Sequence, residues 1–204
     1  MNRTWLFLAM LLLAGCKKSE PSAFSNCPAL DAGAPVDPIL LAFLSRARSA
    51  HHLADNHESD GDLAASAAPL EQLVAGPLKG VGSATLAPEV REVLADTFAR
   101  LADLHSRQGE FARARKDVQQ GLEYAREPNY FRGHLLETEG LVEELHAKAL
   151  EKSGDHTGAA MTRKLAIELL ERAMEVQSGV IERAPHTPSD ASDRATPTPA
   201  ASGR

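Results

Sequence analysis

The sequence is short of aromatic side chains, of cysteine and of long apolar runs. Its 204 residues hold six Phe, two Tyr and one Trp, 4% aromatic in all. A sandwich or barrel needs many aromatic and β-branched positions to fill its faces, so that class is disfavoured. The two cysteines, Cys16 and Cys27, form no CxxC, CxxCH or multi-cysteine zinc pattern, and thiol-redox, c-type haem and zinc-finger readings fall away. Excess positive charge is missing too: 22 Lys and Arg stand against 28 Asp and Glu, a formal net charge of −6. A polyanion binder needs the opposite balance, so no nucleic-acid partner is expected. What is abundant is alanine, 34 residues of it, among other strong helix formers. Such a chain suits helices that approach closely through small side chains.

One apolar run, Trp5 to Leu13, follows Arg3 and is too short to span a bilayer as a helix. It ends in Leu13-Ala14-Gly15-Cys16. These residues resemble the lipobox of bacterial lipoproteins. The resemblance implies cleavage just before Cys16, which then carries a thioether-linked diacylglycerol and becomes the acylated N-terminus. Residues 1–15 are thus expected to be a signal peptide. Each buried methylene contributes ~0.8 kcal/mol, so two or three acyl chains would hold the protein on the membrane. By the sorting rule of Gram-negative lipoproteins, Lys17 rather than Asp after the cysteine points to the outer membrane, facing the periplasm. With Cys16 lipidated, Cys27 has no internal disulfide partner.

Residues 16–36 hold Pro21, Pro28 and Pro35 without a sustained apolar period and read as a flexible tether. Residues 184–204 are almost entirely Ala, Pro, Ser, Thr, Asp and Arg, a composition expected to stay disordered. Between them, 37–183 shows helical periodicity. Val90, Val93, Leu94, Thr97, Phe98, Leu101 and Leu104 recur at spacings of three and four, with Pro88 and Glu89 suited to the first turn. After Gly109, the residues Phe111, Ala114, Val118, Leu122 and Ala125 make the facing stripe of a second helix, closing an α-hairpin. A last helix is expected from near Gly158 to the early 180s, burying Ala166, Leu170, Ala173, Met174, Val180 and Ile181 behind a polar outer face.

The hairpin repeats. Leu53-Ala54-Asp55, His57, Gly61-Asp62 and Ala64 return 48 residues later as Leu101-Ala102-Asp103, His105, Gly109-Glu110 and Ala112. A weaker copy, offset by 45 more, runs through Ala147 and Leu150 to Gly154-Asp155 and Ala159. The middle copy resembles a tetratricopeptide repeat: Phe98, Leu101 and Ala102 in the first helix, Gln108-Gly109-Glu110-Phe111 at the turn, and Ala114, Val118 and Gly121 in the second. Small residues let the two helices approach and large ones fill the groove between them. The resemblance implies an all-α fold, a short α-solenoid of about three such hairpins with a long C-terminal capping helix. Departures are the spacing, longer than the usual ~34, Pro69 within the expected second helix of the first copy, and Glu143 and His146 where large apolar residues belong in the third.

His51 and Asp55, one helical turn apart, could share a divalent metal, but HExxH is absent and Ala67 stands where a calcium loop needs its glutamate. The repeat explains the segment better: Gly61-Asp62 is an inter-helix turn, and His57 aligns with His105 in a packed interface. Lys79-Gly80-Val81-Gly82-Ser83 lacks the phosphate-loop order and reads as a connector. No nucleophile–base motif appears, so neither an enzyme nor a cofactor is expected. In tetratricopeptide repeats the first helices line a groove that holds peptides or partner helices. By that resemblance the groove presents Arg48, His51 and Asp55, then Asp96, Ala99, Asp103 and Arg107, then Glu144 and Lys148. The same resemblance adds Glu58 from the first copy, Ser106 from the middle one and Glu151 and Lys152 from the third. The expected function is a membrane-anchored periplasmic scaffold or assembly lipoprotein that binds an envelope protein or peptide; the alternative is a small envelope protein holding a divalent metal near His51 and Asp55.

Overall fold

The computed structural model describes residues 37–76 and 85–183. The segments expected to be signal peptide, tether and tail, with Cys16 and Cys27, and residues 79–83 lie outside the described residues. The order is α1 (Pro38–Ser59), α2 (Leu63–Val74), α3 (Pro88–Arg107), α4 (Phe111–Tyr124), α5 (Tyr130–Ser153) and α6 (His156–Arg183), with no strand among the described residues. The fold is all-α. Local chemistry starts the helices: Asp37 accepts from the Ile39 amide at 2.8 Å ahead of Pro38, and Asn129 accepts from the Arg132 amide at 2.9 Å.

Three turns share one geometry. Gly61, Gly109 and Gly154 stand at φ of 81°, 82° and 91°. The next residue's amide reaches back to the carbonyl five positions earlier: Asp62 to His57 at 2.9 Å, Glu110 to His105 at 2.8 Å, Asp155 to Leu150 at 3.0 Å. This is the left-handed glycine stop that satisfies carbonyls at a helix end, and only glycine takes that φ without strain. Asp62 and Asp155 then cap the following helix, accepting from the amides of Ala65 and Gly158, each at 2.8 Å. The sequence repeat is therefore a repeat of turn stereochemistry.

Each turn folds its helices together: α1 packs on α2, α3 on α4 and α5 on α6, while α3 also meets α1, α2 and α5, and α4 meets α5. Small residues lie at the contacts. Ala47, Ala50 and Ala54 are the buried residues of α1, packed in one cluster with Leu70, Leu73, Phe98, Leu101 and Leu104. A second cluster joins Ala95, Ala99 and Ala102 to Ala114, Val118, Leu135 and Val142. Gly121 is needed where α4 passes between its neighbours, because a Cβ there would lie 2.5 Å from Leu135 Cδ2. Helix α2 runs on through Pro69 at the cost of one backbone bond.

Several expectations need correction. His57 is exposed whereas His105 is buried, and Leu53 is 52% exposed against 1% for Leu101. The buried positions of α1 are all alanines, and the face carrying Leu53 and His57 is uncovered. On α6 the expected Ala166 and Ala173 are buried, joined by Ala159 and Leu169, but Met174 and Ile181 are 64% and 69% exposed. Glu143 takes the core place where an apolar residue belongs, at 2% exposure, because Arg115 meets it through Nε at 2.5 Å and Nη2 at 2.7 Å. His146 packs on Phe111 with ring centres 4.6 Å apart.

Candidate functional site

Helices α1, α3 and α5 share a cavity of about 370 Å³. His51 and Glu58 come from α1; Asp96, Ala99, Arg100, Asp103 and Ser106 from α3; His134, Thr138, Leu141 and Val142 from α5. On α3 these residues fall at helical spacings of three and four, so one stripe faces the cavity. Its floor is apolar where Ala99 and Val142 are buried, and its walls are charged.

Arg100 organises the α1 side. Its Nη2 donates to Asp55 at 2.8 Å and to Glu58 at 2.5 Å, while its Nε is buried with no partner among the described residues. Arg107 bonds Glu58 and reaches Asp103 at 3.2 Å. The bond from Arg107 is the main reason that Glu58 is held below the usual carboxylate range. Two arginines thus lock α1 to α3 through one glutamate. Asp96 holds no ion pair among the described residues. Beside it, the Thr97 hydroxyl donates to the Val93 carbonyl at 2.7 Å, so its lone pairs are what His51 Nε2 meets at 3.0 Å. His51 therefore carries its proton on Nε2. Burial first, then the Arg100 charge, pushes this imidazole below its ordinary value, against the pull of Asp96 and Asp55.

Of the expected groove residues, His51, Glu58, Asp96, Ala99, Asp103 and Ser106 line the cavity. Ala99 does so as floor, 2% exposed, and offers no polar contact. Asp55 and Arg107 do not line it but pair with residues that do, Asp55 with Arg100 and Arg107 with Glu58. Arg48, Glu144 and Lys148 are not part of it. Glu144 and Lys148 pair with each other at 2.6 Å. The next turns of α5 turn to α4 instead: Glu143 and His146 meet Arg115 and Phe111 at the start of that helix, and the cavity takes its α5 residues from earlier turns. The offset set by Gly154 therefore does not identify the turns of α5 that line the cavity. The turns that face α3 carry His134, Thr138 and Leu141. Arg100, absent from the expected groove, lines it as well, and its place four residues after Asp96 and three before Asp103 is the sequence signal for that.

A second polar cluster lies in the core. His105 Nδ1 donates to Asp117 at 2.6 Å, and Nε2 faces Glu71 at 3.3 Å, joining α2, α3 and α4. Glu71 is bonded in turn by Arg113. Buried at 1% exposure, His105 is a structural tie with no access to a ligand. As for metals, His51 and Asp55 turn to Thr97 and Arg100, and no group of three His, Cys, Asp or Glu is placed to hold an ion among the described residues. No helix among them is long and apolar enough to cross a membrane. No family model, curated protein or solved structure matches the chain.

Proposed function

We infer that the chain is a lipid-anchored scaffold or assembly protein of the cell envelope. Its three hairpins form a short tetratricopeptide-like solenoid with α6 as the long cap, and the protein binds rather than catalyses. The observation that carries this reading is the cavity shared by the first helix of every hairpin, where that kind of repeat holds a peptide or partner helix. The identical glycine turns support the repeat, and Leu13-Ala14-Gly15-Cys16 supports the anchor at the outer membrane, facing the periplasm. Mixed charges around an apolar floor suit a selective polar groove, in which Asp96 is free to meet a cationic side chain of an extended or helical segment. An anchor raises local concentration, so modest affinity suffices.

The test is site-specific photo-cross-linking in native membranes. A photoreactive residue at Leu141, in the cavity, is expected to give a discrete adduct that Asp96→Lys abolishes; the same residue at Met161, exposed on α6, is expected to give none. Equal adducts from both positions, or an adduct indifferent to Asp96→Lys, would overturn the groove. Cys16→Ser is expected to move the protein out of the membrane fraction or leave it unprocessed, and unchanged fractionation would remove the anchor.

A further inference from the structure

The cavity between α1, α3 and α5 is elongated along its helices. Its lining runs from His51 to Glu58 on α1, from Asp96 to Ser106 on α3 and from His134 to Val142 on α5. At ~1.5 Å per residue each stretch is about 10–15 Å long, or two to three turns. The space is a short trough.

Charge along it is unbalanced. On α1 and α3 the carboxylates Asp55, Glu58, Asp96 and Asp103 stand against only two guanidiniums, Arg100 and Arg107. Both guanidiniums are engaged within the protein, Arg100 by Asp55 and Glu58, Arg107 by Glu58 and Asp103. Asp96 holds no ion pair among the described residues, and the half-exposed Asp103 shares its arginine with Glu58. The α5 wall adds neither a carboxylate nor a guanidinium. The surplus negative charge therefore falls at Asp96 and Asp103, seven residues apart on one stripe of α3. Between them the stripe is apolar at Ala99, which joins Val142 as floor, and Leu141 in the same cavity is 48% exposed.

We propose, on the groove reading above, that the trough receives an amphipathic helix of another protein, with Lys or Arg at two positions seven apart and an aliphatic side chain three or four residues after the first. The spacing selects the helix. Asp96 and Asp103 lie about 10 Å apart along α3, and a helix returns to one face over the same rise every seven residues, with its third or fourth residue on that face between them. A strand puts same-face residues ~7 or ~13 Å apart. A polyproline helix returns every three residues, ~9 Å, with no side chain on that face in between. The two cations would meet the carboxylates and the aliphatic side chain would cover Ala99 and Leu141. The chain does not supply this helix itself. Its only Lys or Arg pair at that spacing is Arg100 and Arg107, both already held by Glu58, so a second copy does not fit. Outside the described residues, 5–13 carry no charge, and Arg3, Lys17, Lys18, Lys79, Arg194 and Arg204 include no pair seven apart.

The test uses the full chain in native membranes, with the photoreactive residue at Leu141 and the cross-linked segment sequenced by mass spectrometry. That segment is expected to carry the two cations and the aliphatic residue at the stated spacing. Asp96→Asn and Asp103→Asn are each expected to lower the adduct yield about fivefold, the loss of one half-exposed ion pair. Asp96→Glu is expected to retain it, and Glu92→Gln, exposed on α3 outside the cavity, to leave it unchanged. The yield is also expected to fall between about 0.1 and 1 M salt, as the screening length drops from ~10 to ~3 Å. Unchanged far-ultraviolet dichroism of the purified variants checks that they fold. A segment without the two cations, or an adduct that Asp96→Lys abolishes while both asparagine variants and salt leave it intact, would overturn the proposal and leave the groove standing. No discrete adduct at Leu141 would remove the groove and the proposal together.

Discussion

The first and middle hairpins are written in nearly the same words, yet they bury different residues. Leu101 and His105 of α3 lie in the interior, while Leu53 and His57, their counterparts in α1, face outward. The turns that follow them are the same, down to the glycine φ and the returning amide bond. What differs is the neighbourhood. Helix α3 touches α1, α2, α4 and α5, whereas α1 touches α2 and α3. Burial of a given letter is decided by how many elements surround its helix, while the turn is decided by the few residues that form it.

The sharpest way to break the comparison is truncation of the matched leucines. Leu101→Ala is expected to destabilise by about 2–5 kcal/mol through lost burial and a residual cavity, and Leu53→Ala by no more than ~0.5 kcal/mol. Equal losses in urea melts would mean that α1 is covered as α3 is. The turns should behave in the opposite way. Gly61→Ala and Gly109→Ala force the same positive φ on a residue with a Cβ, at a cost of roughly 1–2 kcal/mol each, and neither Cβ meets a neighbour within 4 Å. Matched losses are expected, and a mismatch beyond ~0.5 kcal/mol would show that the turns are not equivalent.

The smallest effect is a pH dependence of opposite sign in the first and last hairpins. His51 titrates below its ordinary 6.5, chiefly because it is buried. In the window between the lowered value and 6.5 the unfolded chain binds more protons, so the stability from His51 falls as pH drops through it. Glu139 on α5 titrates above 4.5, because of burial first and the Glu143 charge second, against Arg172 and Arg115. There the folded chain binds more protons, and stability rises as pH drops from the raised value toward 4.5. Thermal melts from neutral pH down to about 4.5 are expected to lose the first trend in His51→Gln and the second in Glu139→Gln, the latter melting higher at neutral pH. Parallel profiles for both variants would contradict the assignment.

Much of the fold was legible because helices and their ends are written locally. Three- and four-residue spacing placed α3 and α4, and the glycine-acid pairs placed all three turns. Half of the cavity was legible for the same reason, since Asp96, Ala99 and Asp103 share a stripe with His51 one helix away. The contribution of α5 was not. Glu144 and Lys148 match the repeat in number, but that His134, Thr138 and Leu141 face the cavity in their place is a property of the packed stack. Glu143 misled in another way: a carboxylate at a core position reads as a defect until Arg115, 28 residues earlier, is found against it.

The sequence by itself determined the helices, their glycine stops and the alanine-rich contacts, because backbone hydrogen bonds, φ preferences and side-chain size act within a few residues. Only the tertiary structure decided which matched leucine is interior, which turns of α5 meet α3, that Arg100 and Arg107 share Glu58, and that Met174 and Ile181 face outward. Those outcomes depend on which surfaces remain uncovered after six helices have packed, a quantity that no single segment carries.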